Sequence, residues 1–150
     1  HAPIFTVEEG HEIKAKLPGG HTKNLFLKDK KGRLFLIVVL HDAAIDLKRI
    51  HSLIGAQGRV SFGSADLLLE VLGVTPGSVT PFALINDREA QRVTPIFDAA
   101  MMQFDRLNYH PLSNDASTTI SRDDLLKFVA ACGHAPEVLA VSAEAQDAGL

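Results

Sequence analysis

Cysteine is almost absent from this 150-residue chain: Cys132 stands alone. That excludes an intrachain disulfide framework and any cysteine-rich zinc site, and it fits a reducing compartment. Long apolar runs are missing as well. The longest, Leu34 to Leu40, has seven residues, whereas a membrane-spanning helix needs about 20. No basic stretch followed by an apolar one opens the chain as a signal peptide would, and no low-complexity tract argues for disorder. With 46% hydrophobic and 22% charged residues, the composition is that of a globular protein, expected to be cytoplasmic with no membrane partner. The length suits one domain and is too short for two with a linker. Because the first residue is His1 rather than Met, the expectation is a single domain over residues 1–150 that lacks its extreme N-terminus.

Most catalytic hallmarks are missing too. Among the seven histidines no pair has the i, i+4 spacing of a helical zinc site. His41, His51, His110 and His134 are scattered, so neither a metal nor a cofactor is expected. There is no Gly-x-Ser-x-Gly elbow and no Walker phosphate loop. Cys132, on an amphipathic helix, reads as a small core residue rather than a nucleophile.

The charge that is present is unevenly placed. Net charge is −3, yet Lys14, Lys16, Lys23, Lys28, Lys30, Lys31 and Arg33 face only Asp29 within residues 14–33, so that segment carries +6 and the remainder −9. A solvated hairpin with lysines guarding its edge and a polyanion-binding face are equally compatible with this pattern.

Thr6-Val7-Glu8-Glu9 is a capping box that predicts a short helix from about Val7 to Leu17, stopped by Pro18-Gly19-Gly20. Asn24–Lys28 and Arg33–Leu40 read as a hairpin around Asp29-Lys30-Lys31-Gly32. Asp46 is placed to cap a helix bearing Leu47, Ile50 and Ile54, and Ser64 one bearing Leu67, Leu68, Val71 and Leu72 that closes at Gly73. A strand near Arg59–Phe62 separates them. Prolines argue against regular structure from Thr75 to Pro81, and Phe82–Ile85 reads as a strand ending at Asn86-Asp87. Strands are expected over Arg92–Phe97, Phe104–Tyr109 and Thr118–Ile120. A last helix, capped by Ser121, carries Leu125, Phe128, Val129 and Cys132 and ends at Gly133. Helices and hairpins mix without βαβ alternation, which predicts an α+β fold: a mixed, mostly antiparallel sheet with packed helices.

Three boundary segments combine glycine or proline with polar groups, where backbone amides are free and side chains converge. They are Gly20-His21-Thr22-Lys23-Asn24, the loop Gly73 to Pro81, and Gly133-His134-Ala135-Pro136. Plain turn chemistry accounts for each of them separately.

Together with Asp46-Leu47-Lys48, Ala83-Leu84-Ile85-Asn86-Asp87 and His110-Pro111-Leu112-Ser113-Asn114, these segments resemble the YbaK and ProX family of aminoacyl-tRNA editing domains. Members are free-standing or inserted in bacterial prolyl-tRNA synthetases. The resemblance spans nearly the whole chain, although the family usually has a helix and a strand before the segment that starts here. The Lys-Asn pair and His-Pro-Leu-x-Asn are similar to the branch that deacylates Ala-tRNA(Pro), whereas the Cys-tRNA(Pro) branch usually has another residue after the lysine.

The resemblance implies a curved sheet and a trans-editing hydrolase. Its partners would be the acceptor end of tRNA(Pro), with prolyl-tRNA synthetase or an elongation factor, and not DNA. Lys23 matches the family's invariant lysine, and Gly77, Ser78, Val79, Thr80 and Pro81 match its Gly-x-x-x-Pro loop. An aminoacyl ester is already activated, so a placed water and a home for the oxyanion can suffice. The rigid loop suits the oxyanion. Lys23 suits a fixed positive charge for the terminal phosphate or the ester oxygens, since an ordinary ammonium is a poor general base. Asn24, His21, His110 and His134 are substrate-site candidates, although His110 and His134, both beside prolines in turn-like contexts, read more simply as braces; Ile37, Val39, Phe62 and Leu84 are candidate walls of a pocket too small for proline, although core packing is the simpler reading of each. Lys28, Lys30, Lys31 and Arg33 are the candidate tRNA contacts. Two alternatives stay open: a non-catalytic tRNA- or synthetase-binding module, and a deacylase for cysteine, serine or another small ester.

Overall fold

The structure is a computed structural model that describes residues 20–109 and 118–150. The helix expected over Val7–Leu17 and the His110–Asn114 segment lie outside the described residues.

At the centre, β1 (Gly20–Lys28) and β2 (Leu34–Leu40) form the expected antiparallel hairpin, with Leu25 opposite Ile37 and Gly32 at φ 84° in the turn. Every residue from Leu34 to Val39 is buried. The strand is covered on both faces, which is why it reads as one apolar block instead of alternating. Leu34, Leu36 and Val38 enter a core with Phe26, Leu72, Phe97 and Val129. Phe35, Ile37 and Val39 enter a second core with Leu27, Ile50, Ile96 and Val141 on the opposite face.

The other strands are β3 (Ser61–Phe62), β4 (Val93–Asp98), β5 (Arg106–Tyr109), β6 (Thr118–Ser121) and β7 (Glu137–Leu139). They order as β6-β5-β1-β2-β4-β7, with β3 also on β1. Antiparallel pairs (β1–β2, β1–β3, β5–β6) coexist with parallel ones (β1–β5, β2–β4, β4–β7), so the fold is α+β with a mixed sheet, as expected. Because β2 occupies one edge of β1, β5 at Gly20 and His21 and β3 at Leu27 and Lys28 share the other.

The helices are α1 (Ile50–Ile54), α2 (Ala65–Leu72), α3 (Arg122–Ala131) and α4 (Ala143–Asp147). Ser64 and Ser121 cap α2 and α3 as expected, accepting from the Leu67 and Asp124 amides. Helix α3 closes in a Schellman turn, with Gly133 N–H bonded to Ala130 and His134 N–H to Val129 while Gly133 holds φ 85°.

Four expectations need correction. Asp46 does not cap α1; its carboxylate accepts the Lys48 amide 3.0 Å away, in a turn that precedes the helix. Phe82–Ile85 is not a strand but part of a 3-10 segment, Pro81–Asp87. Pro81 presets φ for the first turn, and Phe82 packs edge-on against Tyr109 and Phe128. A four-residue apolar run does not distinguish the two outcomes. One 3-10 turn, Pro76–Ser78, also forms where no regular structure was expected. Nor is α3 the last helix: β7 and α4 follow, anchored where buried Asp98 accepts the Val141 and Ser142 amides and the Ser142 hydroxyl.

Asp29 organises the hairpin turn. Its carboxylate is buried and accepts the amides of Lys31, Arg33 and Gln57, each at 2.9 Å. Desolvation alone would raise its pKa, but those three N–H bonds and the Arg33 charge outweigh burial and hold it below its ordinary value. A carboxylate depressed by folding stabilises the protein above its unfolded pKa, and the stabilisation disappears as pH falls through the folded pKa. The stability advantage of wild type over Asp29→Asn, measured by urea unfolding, is therefore expected to be constant from about pH 7 to 5 and to shrink below about pH 4. An advantage independent of pH down to full acid unfolding would contradict this.

Candidate functional site

The loop following α2 is rigid for reasons visible in its residues. Pro76 opens a 3-10 turn closed by the Ser78 amide on the Thr75 carbonyl at 2.9 Å, and Pro81 opens the next. Between them Thr80 is fully buried, its hydroxyl accepting the Phe82 amide at 3.4 Å, while Gly77 is exposed and Ser78 and Val79 are half-buried. The loop is tied to β1 by one side chain: Asn24 Nδ2 donates to the Val79 carbonyl at 3.0 Å. That carbonyl can only accept, so the amide has one workable orientation. Asn24 Oδ1 is then enclosed with no hydrogen-bond partner among the described residues. Leaving such an acceptor unpaired costs about 1–3 kcal/mol.

Lys23 goes the other way. Adjacent strand residues point to opposite faces. Asn24 shares its side with Phe26 in the first core, whereas Lys23 shares its side with Leu25 and Leu27 in the second. Its ammonium donates to the Ala43 carbonyl at 3.0 Å. The structure thus brings Asn24, not Lys23, to the loop. Lys23 is half-buried and keeps two of its three donors without a protein partner among the described residues. The start of β1 is held by Thr22, whose hydroxyl donates to the Asn108 carbonyl at 2.6 Å, and by Asn108, whose amide donates to the Gly20 carbonyl at 3.3 Å. His21 precedes Thr22 on this strand, and its carbonyl accepts the His41 amide at 2.7 Å.

His134 is buried, its Nε2 lying 2.9 Å from Asp87 Oδ2. Asp87 also accepts the Arg92 and Val93 amides at 3.0 and 2.9 Å. This cluster fastens the turn after α3 to the end of the 3-10 segment that continues the loop, so His134 braces the loop from behind. Ile37, Val39 and Leu84 are fully buried in the two cores, whereas Phe62 on β3 is 58% exposed. Lys28, Lys30, Lys31 and Arg33 are exposed around the β1–β2 turn. His110 lies outside the described residues.

Residue types alone gave no hint of several participants. The Ala43 carbonyl and Asp87 are such cases, the latter being 47 positions from His134. Asp29 did carry a signal, since an aspartate opening a four-residue turn bonds amides ahead of it. No group of three or more His, Cys, Asp or Glu among the described residues is arranged to hold a metal ion.

A rigid glycine- and proline-set loop, pinned by an amide beside a strand lysine, is equipment for positioning and charge stabilisation without a protein nucleophile. Comparison with known proteins gives the family. The aminoacyl-tRNA editing domain family matches residues 1–128. The prolyl-tRNA synthetase associated domain-containing protein 1 of Danio rerio is 40% identical over 93% of this chain and 76% of its own length. The prolyl-tRNA editing protein ProX of Acetoanaerobium sticklandii is 38% identical over 89% of this chain and 81% of its own. A crystal structure provisionally described as a trans-editing enzyme for prolyl tRNA synthetase shares the fold, with a TM-score of 0.62 and 18% identity over 89% of this chain and 78% of that one. The chain belongs to the aminoacyl-tRNA editing domain family and is related to prolyl-tRNA editing proteins.

Removing the imidazole in His134→Ala leaves a buried carboxylate short of a partner and opens a cavity behind the loop. The expected loss is about 2–4 kcal/mol in denaturant unfolding. A change within about 0.5 kcal/mol would show that the pair does not brace the loop.

Proposed function

We propose that this chain hydrolyses mischarged tRNA(Pro), with alanine as the preferred aminoacyl group. The observation that carries the reading is the bond from Asn24 to the Val79 carbonyl, which seats the Gly77–Pro81 loop against the strand presenting Lys23. Water attacks the ester carbonyl carbon, and the carbonyl oxygen becomes an oxyanion that main-chain N–H groups of the loop stabilise. Collapse breaks the bond to the terminal ribose, the ribose oxygen takes a proton, and alanine leaves with tRNA bearing a free hydroxyl.

In this reading Lys23 holds a phosphate rather than the reacting ester, because its ammonium lies on the other face of β1 from the loop, tethered to the Ala43 carbonyl with two donors to spare. Proline is refused by size, since excluding a bulkier group is easier than rewarding a smaller one whose missing methylene is worth only about 1–3 kcal/mol.

Incubation with Ala-, Ser-, Cys- and Pro-tRNA(Pro) tests the reading. Ala-tRNA(Pro) is expected to be deacylated at least about tenfold faster than Pro-tRNA(Pro). Lys23→Ala and Asn24→Ala are each expected to lower kcat/KM by about a hundredfold through lost positioning. Equal rates on the alanyl and prolyl esters, or none on either, would remove the proposal. Binding that survives Lys23→Ala with no turnover by either form would identify a non-catalytic binding module instead.

A further inference from the structure

A second polar surface lies at the far end of β1 from Lys23, about 17 Å away at the rise of an extended strand. Lys28, Lys30, Lys31 and Arg33 surround the β1–β2 turn, and Arg59 sits on the turn that leads into β3. All five are exposed, and among the described residues none forms an ion pair, in contrast to Arg49, Arg92 and Arg122, which do. The acid among them, Asp29, is buried and has both oxygens committed to backbone amides.

The two turns are built as one body. The Lys30 amide donates to the Gln57 carbonyl at 3.1 Å, the Gln57 amide to Asp29 Oδ2 at 2.9 Å, and the Arg33 guanidinium to the Gly55 carbonyl at 3.0 Å. The Lys30 stem lies on Gly58 so closely that a Cβ there would stand 2.7 Å from Lys30 Cδ. Arg33 also stacks over the Phe35 ring at 5.1 Å. Beside this body Phe62 is paired with Leu27 and exposed.

We propose that these two turns form one preassembled platform for RNA phosphates, latched internally by Asp29, with Phe62 offering a stacking face to an unpaired base. The inference rests on reading the chain as a tRNA deacylase and adds to it a grip remote from the ester. Exposed cations gathered on one rigid body release counterions when they meet a polyphosphate. An adjacent aromatic ring suits unpaired RNA bases. Asp29 is the distinctive part: it removes its own negative charge from the surface while holding the cations of both turns in register.

Binding of uncharged tRNA(Pro), followed by fluorescence anisotropy across a salt series, tests this without requiring catalysis. The triple variant Lys30→Ala, Lys31→Ala, Arg59→Ala is expected to bind at least about tenfold more weakly at low salt. Its slope of log K against log salt should fall by about 2, at roughly 0.7–0.9 per phosphate contact. Phe62→Ala is expected to weaken binding about tenfold with the slope unchanged. Asp29→Asn removes a negative charge from a basic surface, so simple electrostatics predicts tighter binding and the latch predicts weaker binding. If that variant fails to fold, the triple variant still decides the matter. Wild-type affinity and slope in the triple variant, or binding to phosphatidylserine vesicles without binding to tRNA, would overturn the platform. A wild-type protein that binds tRNA with this salt dependence yet deacylates none would remove the catalytic reading while supporting the platform.

Discussion

Burial of β2 on both faces is the constraint from which the rest of this structure follows. With a core on each side of Leu34–Val39, the neighbouring strand β1 must also divide its side chains between two environments, and the pleat leaves no freedom in how it does so. Lys23 and Asn24, consecutive in the chain, therefore serve different faces. One carries an ammonium to the Ala43 carbonyl, and the other carries an amide to the Val79 carbonyl. A one-residue slip of β1 would exchange the two and place a cation where the loop now meets an amide.

This division gives the site its chemical character. The loop contributes rigidity set by Pro76 and Pro81, Asn24 holds it in place, and His134 with Asp87 braces the 3-10 segment behind it. In the proposed reading these groups hold the loop in place and water attacks, which suits an ester that is already activated. The charged groups lie elsewhere: Lys23 on the opposite face, and the exposed cations around the β1–β2 turn at the distal end of the same strand. In the proposed reading, positioning and chemistry are separated in space, with β1 as the element common to both.

The buried carboxylates show how a chain with net charge −3 can still present a basic surface. Asp29, Asp87 and Asp98 each turn inward to satisfy backbone amides: at the hairpin turn, at the start of β4, and at the turn into α4. Carboxylates used in this way serve as fasteners of loops and no longer neutralise neighbouring cations at the surface.

Local chemistry legible in the sequence determined the hairpin around Gly32, the serine caps of α2 and α3, the glycine closing α3, and the segments that carry the family resemblance. Each of these depends on residues within a turn or two of one another. Tertiary structure decided the remainder. Phe82–Ile85 became a 3-10 segment because Tyr109 and Phe128 offered its aromatic ring an edge-on seat. The elements after α3 were held by Asp98, more than forty residues upstream. Which of Lys23 and Asn24 meets the loop was settled by strand parity against two cores. The sequence determined that a lysine, an amide and a rigid loop would be present. It did not determine which face each would serve, because that depends on a register set by side chains far apart in the chain.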